Sequence, residues 1–90
     1  MDKIEAYEII QSKLEGFRDQ NFEDLVELVG TSESSTVTGA TSSTYQVDLK
    51  IDWNDGKKEC VCIEVSVADL NWYKFSPVSE HILIWRSSTQ

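Results

Sequence analysis

Apolar and polar residues alternate without a break from Tyr45 to Trp53. Tyr45, Val47, Leu49, Ile51 and Trp53 are apolar, and Gln46, Asp48, Lys50 and Asp52 are polar. Side chains on a strand point to opposite faces in turn, so this pattern predicts a strand with one apolar and one wet face. Asn54-Asp55-Gly56 follows, with Gly56 expected to supply the positive φ of a short hairpin loop. The return strand, over about 58–68, sets Val61, Ile63, Val65 and Val67 against Cys60, Cys62, Glu64 and Ser66. A one-residue slip would expose every apolar side chain, so the register is strongly specified. Such a ribbon is marginal alone and needs a covering layer.

The period changes upstream. Ile4, Tyr7, Ile10, Leu14 and Phe17 recur at helical spacing, which predicts a helix over about 2–16 with that stripe on the sheet. Asp2 and Glu5 have capping-box spacing, Gly16 is the expected stop, and Glu5, Glu8, Ser12 and Glu15 are expected outward. Asn21 is a suitable N-cap for a second helix over 22–29, with Glu23 and Asp24 in its first turn and Gly30 beyond its end. From Thr31 to Thr44, ten of fourteen residues are Ser or Thr. This reads as a loop that contributes an edge strand around Ser35 to Ala40, with Gly39 as a bulge. After the hairpin, 71–75 reads as a third strand, with Trp72 on the wet face away from Tyr73 and Phe75. Beyond Ser76-Pro77, residues 81–86 read as a fourth strand, although Val78, Ile82 and Trp85 also fit a helix. The expected fold is a single α+β domain spanning 1–90. It is a two-layer sandwich, with two N-terminal helices packed on one face of a three- to four-stranded antiparallel meander.

Composition narrows the function chiefly by exclusion. Sixteen acidic residues against eight basic ones give a net charge of −8. Such a chain is repelled by phosphate, so neither nucleic acid nor an anionic membrane is an expected partner. Residues 1–33 hold nine acids against three bases, −6 of the −8. No apolar run approaches the ~20 residues of a membrane span. Met1-Asp2-Lys3-Ile4-Glu5 is not a secretory signal. Cys60 and Cys62 stand roughly 6–7 Å apart on one strand, too far for an undistorted disulfide. Free thiols and no signal imply the cytoplasm.

Four constellations bear on chemistry. Asp52-Trp53-Asn54-Asp55-Gly56 resembles the start of a calcium loop, but that pattern needs Gly sixth and Glu twelfth, where this chain has Gly fifth and Ile63 twelfth. Cys60-x-Cys62 with His81 lacks the spacing of a zinc knuckle. Asp48, Asp52 and Glu64, with Lys50 among them, share the wet face, where no pocket is expected to tune them for acid–base work. Of the aromatics Trp53, Trp72, Tyr73 and Trp85, Trp53 is expected in the core and Trp72 is a candidate binding anchor. No catalytic residue, metal ligand or cofactor is assigned.

The helix, the alternating Tyr45–Trp53 strand, the turn, Ile63-Glu-Val65-Ser-Val67 and Phe75-Ser76-Pro77-Val78-Ser79 together resemble small uncharacterised bacterial α+β proteins. The resemblance spans about residues 45–80 and implies the fold alone. The leading expectation is a non-catalytic protein-interaction module for a basic protein partner, one form being an inhibitor or immunity-type protein. Its candidate surface comprises Trp72, Asp48, Asp52, Glu64, Glu5 and Glu8. Two alternatives stand beside it: a homodimer or larger self-assembly, and a small-ligand or enzymatic domain using the 31–44 loop.

Overall fold

The architecture follows from the alternating ribbon and the layer that covers it. The computed structural model describes residues 3–40, 44–70 and 77–86. Helices α1 (Lys3–Arg18) and α2 (Phe22–Val26) precede strands β1 (Ser32–Thr38), β2 (Thr44–Trp53), β3 (Cys60–Asp69) and β4 (Val78–Trp85). The strands form one sheet in the order β1-β2-β3-β4, each antiparallel to its neighbour. This is the expected α+β meander. The predicted register also holds: Val47 faces Val67, Leu49 faces Val65 and Ile51 faces Ile63, all buried beneath the helices.

α1 lies over β3 and β4, and α2 touches β3. The stripe of α1 is rotated from the one expected. Ala6, Ile10 and Leu14 are buried, whereas Ile4 is 74% and Tyr7 40% exposed. At about 100° per residue, Ile4 stands roughly 120° around the helix from Ile10. With the small Ala6 at the contact, the stripe centres on the i, i+4 series and leaves Ile4 and Tyr7 on its shoulder. The helix also runs past Gly16 to Arg18.

α2 is shorter than the 22–29 expected. Asn21 caps it, its Oδ1 accepting the Asp24 N–H at 2.9 Å. After Val26 the backbone tightens into i→i−3 bonds, Leu28 to Leu25 and Val29 to Val26. Gly30 then takes φ +94°. Its N–H donates to the Ile51 carbonyl at 2.8 Å, and the Ile51 N–H donates to the Thr31 carbonyl at 3.0 Å. Two residues thus oppose one, a glycine-first bulge that launches β1. The bulge lies at Gly30, not at Gly39.

Three further boundaries differ from expectation. Half of the Ser/Thr-rich stretch is strand, since β1 starts at Ser32 and pairs with β2 along its whole length. The strand beside β3 is β4, which begins at Val78; the predicted 71–75 strand lies outside the described residues. In the β2–β3 loop, Lys58 rather than Gly56 has positive φ, at 60°. That loop is longer than a tight turn: the Asn54 N–H reaches the Cys60 carbonyl, and the Asp55 side chain accepts the Glu59 N–H.

Candidate interaction face

The helices cover one side of the sheet and leave the other open. Cross-strand pairing sets the order of side chains on that open face. Ser34, Asp48, Ser66 and Ser79 form one row, and Ser32, Lys50, Glu64 and His81 the next. Asp52, Cys62 and Leu83 follow, then Cys60 beside Trp85. Asp48, Asp52 and Glu64 therefore do share a face, with Lys50 directly opposite Glu64. Opposite charges so placed attract across the strands by roughly 0.2–1 kcal/mol. The Ser34 hydroxyl and Gln46 Nε2 both donate to Asp48, and the Trp53 N–H donates to Asp52 Oδ1 at 2.7 Å. A notch of about 180 Å³ is lined by Lys50, Asp52, Trp53, Asn54, Cys62 and Glu64.

At the β4 margin the face turns apolar. Leu83 is 37% and Trp85 58% exposed. Neither was among the residues expected at a site. Strand alternation alone puts His81, Leu83 and Trp85 on one face, but the competing helical spacing of Val78, Ile82 and Trp85 hides it. Trp53 is half-buried on the helix side, tilted 46° to Phe22 with ring centroids 6.0 Å apart. The Arg86 guanidinium lies 4.7 Å from the Phe22 ring centroid.

The thiols are placed to be inert. Cys60 is fully buried. Burial, then the Asp55 and Cys62 charges, raise its pKa above the ordinary value of 9.0. Burial also raises Cys62, and Glu64 and Asp52 add to this while Lys50 opposes it. Both therefore hold their protons at neutral pH, and a protonated thiol is a poor nucleophile and a poor ligand. Among the described residues, no three His, Cys, Asp or Glu side chains are grouped to hold a metal ion.

Glu5 and Glu8 lie on the other side of the molecule. Glu5 does not point outward. It is half-buried and accepts the Tyr45 hydroxyl at 2.7 Å and the Ala40 N–H at 2.8 Å. A Cβ at Gly39 would collide with its carboxylate, so glycine there lets the loop close on Glu5. Glu8 is exposed and, with Glu5, Ile9, Val37, Thr38 and Gly39, lines a groove of about 420 Å³ between α1 and β1. Trp72 lies outside the described residues. The six expected surface residues thus do not form one patch: three meet on the open face, and Glu5 and Glu8 belong to the α1 side. No helix among the described residues is long and apolar enough to cross a membrane.

The chain matches no protein-family model, no curated protein and no solved structure.

Proposed function

We propose that this chain is a non-catalytic interaction module that receives a basic protein on its open sheet face. The observation that carries the reading is the placement of Asp52 and Glu64 around a small notch, with exposed Leu83 in the row of Asp52 and exposed Trp85 in the row beyond it. Interfaces commonly combine an aromatic anchor with a polar rim, and here two carboxylates against Lys50 leave the rim net negative, the sign that favours a lysine or arginine side chain. The net charge of −8 would add long-range steering, giving fast and salt-sensitive association. An inhibitor or immunity-type role toward a basic enzyme is the specific form this reading favours. Acting in the cytoplasm, as its free thiols suggest, it would need no cofactor.

The groove between α1 and β1 is where a small ligand would sit under the alternative reading. Glu5 is already committed there to Tyr45 and Ala40. The experiment compares wild type with an Asp52→Lys/Glu64→Lys variant as bait at about 50 mM and 500 mM salt. Wild type is expected to retain partners of pI above about 9 at low salt only. The variant, with unchanged circular dichroism, is expected to lose them. Equal retention by both baits, or no basic partner for either, would overturn the proposal.

A further inference from the structure

We infer that β4 is a self-association edge, across which two copies pair antiparallel about a twofold axis at Leu83 to make one eight-stranded sheet. The inference stands independently of the basic partner. β4 ends the sheet, and no described strand pairs with its outer side. The Arg86 N–H donates to the Glu59 carbonyl at 2.7 Å, continuing the β3–β4 ladder. Because antiparallel bonding alternates, even-numbered β4 residues direct their backbone groups to β3. Ser79, His81, Leu83 and Trp85 direct theirs outward.

Edge strands are normally guarded by an internal charge such as lysine, by proline or by a bulge. β4 holds a single charge, Glu80, near its start; from His81 to Trp85 it carries no proline, lysine or carboxylate, with Pro77 before it and Arg86 after it. The other edge, β1, offers Ser32, Ser34, Thr36 and Thr38 outward and little apolar surface. Among the described residues, only β4 combines exposed Leu83 and Trp85 and half-buried Ile82 and Ile84 with an outer edge to which no described strand pairs.

The occupant follows from the register. With Leu83 facing its own copy, Ile82 lies opposite the second copy's Ile84, and His81 opposite its Trp85. Glu80 lies opposite the second copy's Arg86, a pair of opposite charges. Arg86 stacks on Phe22, which places it on the helix side, the side Glu80 shares through the pairing of its neighbours. Sliding by one pair, so that Ile82 or Ile84 meets itself, sets these charges against apolar or uncharged neighbours. Pairing at Leu83 forms about six interchain backbone hydrogen bonds. It leaves the open face uncovered, so the strips of Leu83 and Trp85 from both copies run down its middle.

Sedimentation equilibrium of wild type at high micromolar concentration should give about twice the 10.3 kDa chain mass. Leu83→Lys should return it to monomer with its circular dichroism retained. Higher salt should strengthen the dimer, because each copy carries −8, whereas it weakens capture of a basic partner. That opposite sign separates failure of this inference from failure of the proposed function. Register is tested in a Cys62→Ser background, since Cys62 faces Leu83 across β3–β4. Leu83→Cys should form an interchain disulfide under mild oxidation, and His81→Cys should not. A monomeric wild type at every salt concentration would overturn the pairing, and cross-linking of His81→Cys but not Leu83→Cys would overturn the register.

Discussion

Gly30 and Gly16 show how one residue type carries opposite structural meanings. A Cβ built on either meets nothing within 4 Å, so space does not distinguish them. Conformation does. Gly30 holds φ +94° at the bulge that starts β1, while Gly16 sits within α1. An L side chain in left-handed backbone is strained by about 1–2 kcal/mol, so Gly30→Ala should destabilise by that amount. Gly16→Ala should stabilise by about 0.5–1 kcal/mol, because alanine loses less backbone freedom in a helix. Urea titrations should show midpoints moving in opposite directions at constant m. A neutral Gly30→Ala would mean that the bulge relaxes freely. In the sequence both glycines read only as helix stops, since glycine marks permission for an unusual φ without saying which element uses it.

At the scale of elements, the Glu5 carboxylate clasps α1 to the start of β2 and to Ala40, two residues beyond β1. The Tyr45 hydroxyl and the Ala40 N–H both converge on it. Hydrogen bonds to charged groups are the stronger class, but this one is only partly buried. Tyr45→Phe should therefore cost about 1–1.5 kcal/mol. Tyr7→Phe, at an exposed position on α1, should stay within about 0.5 kcal/mol in the same chemical denaturation. Equal losses at the two tyrosines would deny the clasp. This contact was illegible in the sequence, where Glu5 reads as one more outward acid: its partners lie far along the chain, and periodicity reports only a residue's own element. The β2–β3 ribbon was legible because strict alternation on two long buried strands admits one register. From that same alternation Asp48, Asp52 and Glu64 could be placed together. β1 was half-hidden because an exposed edge strand of Ser and Thr has no buried face to impose a period. Leu83 and Trp85 were missed because 78–85 fits helix and strand alike.

For the whole molecule, the excess of acid over base is a load that the fold carries in every salt condition. Sixteen carboxylates share one small domain with eight basic side chains, and −6 of the net −8 lies in residues 1–33. The Arg18–Glu15 pair, at 2.8 Å, is exposed on both sides and offsets little of this. Like charges held together in a compact state repel more than in an expanded chain, so self-repulsion opposes folding. Raising NaCl from about 10 mM to 500 mM shortens the screening length from roughly 30 Å to less than 8 Å. Stability should then rise by about 1 kcal/mol, which for a domain of this size shifts the thermal midpoint upward by about 4–8 °C. The measurement belongs at low micromolar protein, where any dimer is dissociated and cannot add its own salt dependence. Glu8→Lys, which removes two units of negative charge from the helical layer at an exposed position, should flatten the response. A midpoint that falls with NaCl would show that attraction between unlike charges dominates. The acidic surface would then act mainly as an internal brace, leaving less of its field to draw in a basic partner.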